Sequence, residues 1–259
     1  MIKVSNSKIL KTSILPLQLD NVCFEANGNR LIKDISWRFE ANKCTAIIGP
    51  NGAGKSLLLR LCHGLIKPSQ GKVCWQFTKD TTQYQAMVFQ RPIMLRRSVA
   101  GNIDFALKLR HIPRTERVKT IDSVLSATGL KRLANQPARL LSIGEQQKLA
   151  LARAWALKPQ VLFLDEPTAS LDPSAIHSIE KIIMEIRAQG TRIIMATHDL
   201  GQAKRITDEV IFINRGRILE TGETKSFLRN PRNDLAQAFV RGELLWWDKE
   251  TDNRKSLNV

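Results

Sequence analysis

Eight consecutive residues match the pattern of a phosphate-binding loop, G-x-x-x-x-G-K-[ST]: Gly49, Pro50, Asn51, Gly52, Ala53, Gly54, Lys55 and Ser56. The glycines let successive backbone N–H groups approach phosphate oxygens, while Lys55 can reach the terminal phosphates. Ser56 is suited to hold Mg²⁺ through its hydroxyl group. The apolar run Cys44–Ile48 before the loop predicts a buried strand, and Leu57–Leu61 after it predicts the start of a helix. In this context an ordinary glycine-rich turn is the weaker interpretation.

Polar side chains follow three further apolar runs that predict short buried strands. Ligands of open α/β sheets collect at the carboxyl ends of strands, so we expect these side chains to meet near the loop. Asp165 is suited to Mg²⁺, and Glu166 is suited to accept a proton from an attacking water. His198 could contact the terminal phosphate and orient the water or Glu166. The amide of Gln90 could reach Mg²⁺ or the water.

A second anion-binding feature is predicted where Leu141–Gln147 opens a helix. Ser142 can cap that helix, and Glu145 three residues later completes a capping box. This structural interpretation holds whatever else the segment does. The same geometry presents a hydroxyl, the Gly144 backbone N–H and the positive end of the helix dipole to an anion.

The order of the apolar patterns predicts an α/β fold with a mostly parallel sheet. A β-hairpin is expected over 17–39, and helices are expected near 98–110, 114–128 and 142–157. Residues 91–153 carry 13 Lys and Arg against 4 Asp and Glu and lack strand patterns, so they are interpreted as an inserted helical subdomain with a basic face. The predicted organisation is one domain over 17–240. Its α/β core and antiparallel β-subdomain occupy 17–90 and 154–225, with terminal extensions at 1–16 and 241–259.

Composition restricts the class of partner. The chain has 259 residues with 40 Lys and Arg against 24 Asp and Glu, a net charge of +16, so an anionic partner such as nucleic acid or membrane headgroups is expected. The four cysteines lack zinc-binding or C-x-x-C spacing and are interpreted as reduced, largely buried thiols of a cytosolic protein. No apolar stretch is long enough to span a bilayer, so any work at a membrane is expected of a peripheral subunit.

Taken together, the loop, Gln90, Leu141–Gln147, Val161–Pro167, Ser170-Leu171-Asp172 and His198 resemble, in order and spacing, the nucleotide-binding subunit of an ABC transporter. The resemblance covers roughly residues 17–240 and implies a P-loop NTPase core that binds ATP and Mg²⁺. It implies a homodimer in which Ser142 and Gly144 close on ATP held by the other copy, with Asp172 at the dimer interface. It further implies transmembrane permease subunits, an indirect link to a solute-binding protein, a peripheral position on the cytoplasmic face of the membrane, and no nucleic-acid partner.

Two positions depart from the family pattern. The second residue of the signature loop is usually glycine, but here it is Ile143, whose β-branched side chain restricts the backbone. The family usually stacks an aromatic ring on adenine at a position that corresponds to Ala26, with Phe24 as the nearest ring.

The cargo is expected from family analogy alone. The segments 89–99 and 56–60 resemble the corresponding segments in ATPase subunits of oxyanion importers. The resemblance is greatest for tungstate importers, followed by phosphate and molybdate importers. Two alternatives stay open: a soluble ABC ATPase that acts on nucleic acid or ribosomes, and a regulatory ATP-binding module without turnover. The single cassette and absence of heptads argue against the first, and Asp165, Glu166 and His198 argue against the second.

Overall fold

The structure is a computed structural model that describes residues 13–41, 43–76 and 80–243. Two sheets and eight α-helices make up these residues, together with two short 3-10 helices at 131–133 and 138–140. In chain order they are β1 (Leu17–Ala26), β2 (Asn29–Phe39), β3 (Thr45–Ile48), α1 (Lys55–His63), β4 (Gln70–Trp75), β5 (Gln85–Val88), α2 (Val99–Leu109), α3 (Arg114–Ala127), α4 (Ile143–Ala156), β6 (Val161–Asp165), α5 (Pro173–Ala188), β7 (Arg192–Ala196), α6 (Leu200–Ile206), β8 (Glu209–Asn214), β9 (Arg217–Glu223), α7 (Thr224–Arg229) and α8 (Asp234–Val240).

The larger sheet has six strands in the order β5-β6-β7-β3-β8-β9. All neighbouring pairs are parallel except β8 and β9, which form an antiparallel hairpin. Parallel strands share one carboxyl edge, so the ends of β3, β5, β6 and β7 lie side by side there. The sequence prediction of a mostly parallel α/β core is confirmed.

Strand β6 shows how the larger sheet is buried on both faces. Leu162 and Leu164 join one apolar cluster with residues of α4 and α5, whereas Val161 and Phe163 join a second cluster with residues of α1 and β1. Successive side chains of a strand point to opposite faces, so a strand covered on both sides needs a continuous apolar run. This is why the run at 161–164 predicts its strand correctly.

The smaller sheet is antiparallel, with β1 between β2 and β4. The segment 13–16, expected to belong to a loosely held extension, instead packs against this part of the fold. Ile14 and Leu15 are buried, and the Ile14 backbone N–H donates to the Gln160 side chain at 2.9 Å. The prediction of an antiparallel β-subdomain is confirmed, but residues 13–16 are part of the packed structure.

Helices α2, α3 and α4 lie between β5 and β6 in the chain, where the sequence predicts a helical insertion. Ser98 caps α2 by accepting from the Gly101 N–H at 3.0 Å. The structure therefore has the expected helices, while the domain bounds 91–153, 17–90 and 154–225 stay predictions. Trp246 and Trp247 lie outside the described residues.

Two composition-based expectations can be compared with the fold. Cys23, Cys44 and Cys62 are buried free thiols, but Cys74 is exposed. Across the described ranges, no helix is both long enough and apolar enough to cross a bilayer.

Candidate functional site

The phosphate-binding loop connects β3 to α1 through backbone conformations that only glycine accepts readily. Gly49 has φ of 151° and Gly54 has φ of 105°. A Cβ atom on Gly49 would collide with the carbonyl oxygen of Ile213, and one on Gly54 would lie 2.9 Å from Ile32 Cδ1. The glycines therefore fix both the turn of the loop and its close contact with neighbouring backbone.

Lys55 is buried at the start of α1, with its ammonium group inside the loop. Its Nζ donates to the carbonyl oxygens of Gly49 at 2.9 Å and Pro50 at 3.2 Å. The same nitrogen lies 3.5 Å from Glu166 Oε1. A cation held in a glycine-rich loop at the start of a helix is suited to bind a polyphosphate.

Ser56 and Asp165 form an oxygen pair beside the loop. Ser56 Oγ donates to Asp165 Oδ1 at 2.6 Å, which joins the first turn of α1 to the end of β6. Burial raises the pKa of Asp165, against the opposing effect of the Ser56 hydrogen bond. Hydroxyl and carboxylate oxygens are ligands that Mg²⁺ accepts. The described residues hold no cluster of three or more His, Cys, Asp or Glu, so a bound Mg²⁺ would need phosphate and water oxygens as well.

Glu166 sits directly after β6 in a left-handed backbone conformation, with φ of 48°. Its backbone N–H donates to the Ala196 carbonyl at 2.9 Å, which ties it to the end of β7. Its Oε2 lies 2.8 Å from His198 Nδ1, and the His198 side chain is 56% exposed. Such a conformation costs about 1–3 kcal/mol in a residue other than glycine and is found most often at functional sites.

These groups open onto one cavity of about 400 Å³. Its lining includes most of the residues that the sequence nominates, and three that it does not, Leu31, Leu57 and Arg60. The lining residues are Leu31, Asn51, Gly52, Gly54, Lys55, Ser56, Leu57, Arg60, Gln90, Glu166 and His198. The structure thus brings Gln90, Glu166 and His198 together with the loop, although they come from three different strand ends.

Ser142 and Gly144 do not line this cavity. They lie at the start of α4, where Ser142 accepts a long hydrogen bond from the Glu145 N–H at 3.4 Å and its own N–H donates to Glu145 Oε2 at 2.9 Å. The predicted capping box is therefore present. Gly144 faces α5 closely, since a Cβ there would lie 3.3 Å from Ala175 Cβ. Ile143 between them is 66% exposed.

The comparison with protein families decides what this arrangement is. A family model described as ABC transporter matches residues 32–169, a span that contains the loop, the capping box and the Asp165–Glu166 pair. The chain belongs to the ABC transporter family. As an ABC ATP-binding domain, it is an ATP-hydrolysing subunit.

Relatives of this ABC domain include ATP-binding proteins of uptake and import systems. It is 38% identical over 216 residues to the tungstate uptake system ATP-binding protein TupC of Peptoclostridium acidaminophilum, covering 82% of this chain and 100% of the relative. It is 35% identical over 243 residues to the phosphate import ATP-binding protein PstB of Mycoplasmoides gallisepticum, covering 86% and 74%. The solved structure of cbiO1 from Clostridium perfringens, part of the ABC transporter complex cbiONQ, matches with a TM-score of 0.74 and 30% identity over 84% of this chain and 91% of that one.

Three residues that line the cavity of the ABC domain are not among the site residues expected from the sequence: Leu31, Leu57 and Arg60. Arg60 follows Ser56 by four residues, and positions four apart share one face of a helix, so helical spacing could have found it. Leu31 carries no such signal, because β2 meets the loop through the distant β8–β9 turn, where the Lys33 N–H donates to Gly216 O and the Gly216 N–H donates to Ala53 O. Phe24, the nearest aromatic ring to the expected adenine position, packs partly buried against an apolar cluster and does not line the cavity.

Proposed function

We propose that two copies of this chain form the ATPase of a transporter that imports an oxyanion, most closely of the tungstate type, under separate permease subunits. The observation that carries the ATPase part is the meeting of Lys55, Ser56, Glu166 and His198 at one cavity, with Asp165 bound to Ser56 behind it. The cargo itself does not contact an ATPase subunit, so no residue of this chain identifies it. The proposal of an oxyanion is supported by the tungstate and phosphate relatives.

Nucleotide binding begins with the phosphates in this proposal. The loop N–H groups and the positive end of the α1 dipole attract them, and Lys55 supplies a full charge. Lys55 Nζ now donates to Gly49 and Pro50, so phosphate oxygens add to or replace those carbonyl acceptors. Glu166, 3.5 Å from the same ammonium, keeps it near the catalytic end of the site.

Ser56, Asp165 and Gln90 are the residues that would hold Mg²⁺. When bound, the ion would neutralise charge on the phosphate oxygens. Ser56 and Asp165 fit this role because their oxygens already lie 2.6 Å apart, and a metal would replace the hydrogen bond between them. The raised pKa of Asp165 also fits, since a buried carboxylate gains from a nearby cation.

Glu166 is the proposed acceptor for the proton of the attacking water. Its Oε1 faces Lys55 and its Oε2 faces His198, so the carboxylate is held from both sides. The left-handed backbone at Glu166 fixes the direction in which that side chain leaves β6. His198 would keep the carboxylate in place and contact the terminal phosphate.

The remaining two nominated residues would act on a second copy. Ser142 and Gly144 lie outside the cavity of their own chain but present a hydroxyl and a helix start to solvent. In the proposed dimer they cover the nucleotide of the partner, so a monomer hydrolyses ATP poorly. The helical insertion, whose positive charge lies mainly in the segments between and before α2–α4, would then face the permease and the cytoplasmic leaflet, with the chain at the membrane as a peripheral subunit.

The proposal is tested with the chain co-expressed with its permease and reconstituted in liposomes with its solute-binding protein. We expect tungstate to stimulate phosphate release more than molybdate or phosphate at equal concentration, and Lys55→Ala to abolish the stimulated rate. Stimulation by phosphate alone would reassign the cargo. Stimulation by DNA or ribosomes without any permease would favour the alternative of a soluble ABC ATPase.

A further inference from the structure

Gln202 is a polar side chain that is completely buried in α6. Its Nε2 donates to Thr168 Oγ1 at 2.8 Å, and Thr168 is buried as well. In the part of the chain that the structure describes, no group pairs with the remaining oxygen, Gln202 Oε1. Burying an amide with one group unpaired costs stability that an apolar side chain would not cost. Stability alone therefore does not account for an amide at this position.

The bond between Gln202 and Thr168 joins the two segments that carry the proposed catalytic pair. Thr168 lies two residues after Glu166, in the loop that leaves β6, and Gln202 lies four residues after His198, in the first turn of α6. The loop is folded as a tight turn, in which the Ala169 N–H donates to Glu166 O at 3.2 Å. The position of Thr168 is therefore coupled to that of Glu166.

The start of α6 couples Gln202 to His198 in the same way. Asp199 caps the helix, because its Oδ1 accepts from the Gln202 N–H at 2.9 Å, and the Asp199 N–H donates to Thr197 Oγ1 at 3.1 Å. His198 lies within this hydrogen-bonded segment, so its backbone follows the first turn of the helix. The His198 side chain is more than half exposed, so packing does not fix the ring and its position depends on that backbone.

The far end of α6 is held by a separate contact. Arg205 donates to both carboxylate oxygens of Glu180, from Nη2 at 2.6 Å and from Nε at 2.8 Å. Since α6 has seven residues, one directional contact near each end sets its rotation. Loss of the Thr168 contact would leave the Arg205 contact in place, so the helix would stay packed while its first turn could shift.

We infer that Thr168 and Gln202 are positioning residues for ATP hydrolysis, and that their buried hydrogen bond holds His198 at contact distance from Glu166. Neither residue is among the described residues that line the cavity, so both act through the catalytic pair rather than on the nucleotide. A small misplacement of an orienting group lowers the rate of the chemical step strongly. The inference rests on the proposed function and adds two residues to its mechanism.

The first test compares two substitutions of Thr168 in the full-length chain, reconstituted with its permease. Thr168→Val removes the hydroxyl with little change of shape, whereas Thr168→Ser keeps it. We expect Thr168→Val to lower kcat for phosphate release by about fivefold while KM for ATP changes by less than about twofold, and Thr168→Ser to recover most of the rate. An unchanged kcat in Thr168→Val would overturn the inference.

Thr224→Val is the matched control for this test. Thr224 is also completely buried, and its hydroxyl lies 3.0 Å from Thr207 Oγ1, but it belongs to α7 and is not among the cavity residues. Each valine variant loses one buried hydroxyl contact, so both should lower the unfolding temperature to a similar extent. Only Thr168→Val should lower kcat. A similar loss of kcat in both variants would assign the effect to general stability and contradict the inference.

The second test asks whether the pair acts through His198. Gln202→Leu, which keeps the approximate size of the side chain, should lower kcat as Thr168→Val does. In a chain that already carries His198→Ala, either substitution should lower kcat by less than about twofold further, because the group that it positions is gone. The same fivefold loss in both backgrounds would show that Thr168 and Gln202 act elsewhere.

The catalytic pair itself separates this inference from the proposed function. If His198→Ala and Glu166→Gln both hydrolyse ATP at the unaltered rate, the proposed pair is wrong. If these two variants are slow while Thr168→Val and Gln202→Leu turn over normally, the pair stands and only the positioning inference fails.

Discussion

His198 Nδ1 and Glu166 Oε2 lie 2.8 Å apart, linking the residues that follow two neighbouring parallel strands. Glu166 is largely buried, but His198 is exposed, so the ring covers one side of the carboxylate from the solvent. The Glu166 N–H bond to Ala196 O fixes the backbone below this pair. The histidine is therefore placed to orient the carboxylate.

His198→Ala removes the ring that holds Glu166. Because the loop and Lys55 remain, we expect ATP binding to persist while hydrolysis falls, on the order of tenfold or more. Phosphate release and equilibrium binding of ATP measure the two effects separately. His177→Ala, which changes an exposed histidine on α5, should leave both values unchanged. Full turnover in His198→Ala would show that the contact between His198 and Glu166 is not needed for hydrolysis.

Ile143→Gly restores the residue usual in the family. Ile143 is the first residue of α4 and is exposed in this chain, so no neighbouring atom of the same chain is relieved by its removal. Glycine costs up to about 1 kcal/mol of helix stability. We expect ATPase activity and ATP-driven dimerisation to be unchanged or lower, with Val118→Gly at an exposed position of α3 as a control for a general loss of stability. A several-fold gain in turnover would mean that Ile143 crowds the closed dimer.

His63 predicts a pH dependence of stability. Burial at the end of α1 lowers its pKa, and its ring lies edge-on to Phe163 with 5.7 Å between centroids. His63 therefore binds a proton more readily in the unfolded chain than in the folded one. The free energy of unfolding should be highest above the ordinary histidine pKa of about 6.5 and should fall as the pH is lowered below that value.

Chemical denaturation between pH 8 and pH 5 measures this effect. His63→Phe, which keeps a ring against Phe163, should reduce the loss of stability across that range, whereas His177→Gln should keep it. An unchanged pH slope in His63→Phe would assign the effect to other groups.

Arg96 and Arg97 provide a test of the basic surface. Both are exposed, and Arg97 also lies over the ring of Phe105 at 5.1 Å from its centroid. Surface cations near an anionic leaflet contribute about 1 kcal/mol each. The double change to Glu should therefore weaken co-sedimentation with permease-containing anionic vesicles at low salt. The double change of Lys225 and Arg229 to Glu, at two exposed positions of α7, is the matched control, and equal sedimentation of the two variants would contradict this placement of the membrane surface.

The sequence predicts the core of this fold because its signals are local. Each buried strand of the parallel sheet is a short apolar run, and the polar residue that follows it marks the carboxyl edge. Since parallel strands share that edge, the meeting of Gln90, Glu166 and His198 could be expected without coordinates. The capping box at Ser142 follows from spacing alone.

Other features depend on contacts between distant residues and leave no local pattern. Leu31 faces the cavity only because β2 lies against the loop, and Ile14 is buried through a partner 146 residues away. The left-handed backbone conformation of Glu166 could not be predicted from its residue type, because glycine is the residue that favours this conformation. These are tertiary effects that propensity and periodicity do not record.

Glu166→Gln is the sharpest test of the proposed mechanism. The amide keeps the size of the side chain and can still contact Lys55 and His198, but it loses the charge and basicity needed to accept a proton. ATP binding depends mainly on residues 49–56, so it should survive, while hydrolysis should fall by about 10²-fold or more. Bound ATP should then hold two copies together, because Ser142 and Gly144 of each would cover the nucleotide of the other.

Lys55→Ala is the contrasting variant, since it should lose ATP binding and form no ATP-dependent dimer. Size-exclusion chromatography with Mg-ATP and a phosphate-release assay distinguish the two, and Glu116→Gln on the exposed face of α3 controls for the loss of one carboxylate. Glu166 lies 2.8 Å from His198 and 3.5 Å from Lys55. It is the one carboxylate among the described residues that line the cavity, so no other lining residue could replace it as proton acceptor. Turnover at the unaltered rate in Glu166→Gln would therefore require an acceptor from outside this cavity, either Asp165 behind Ser56 or a group of the second copy.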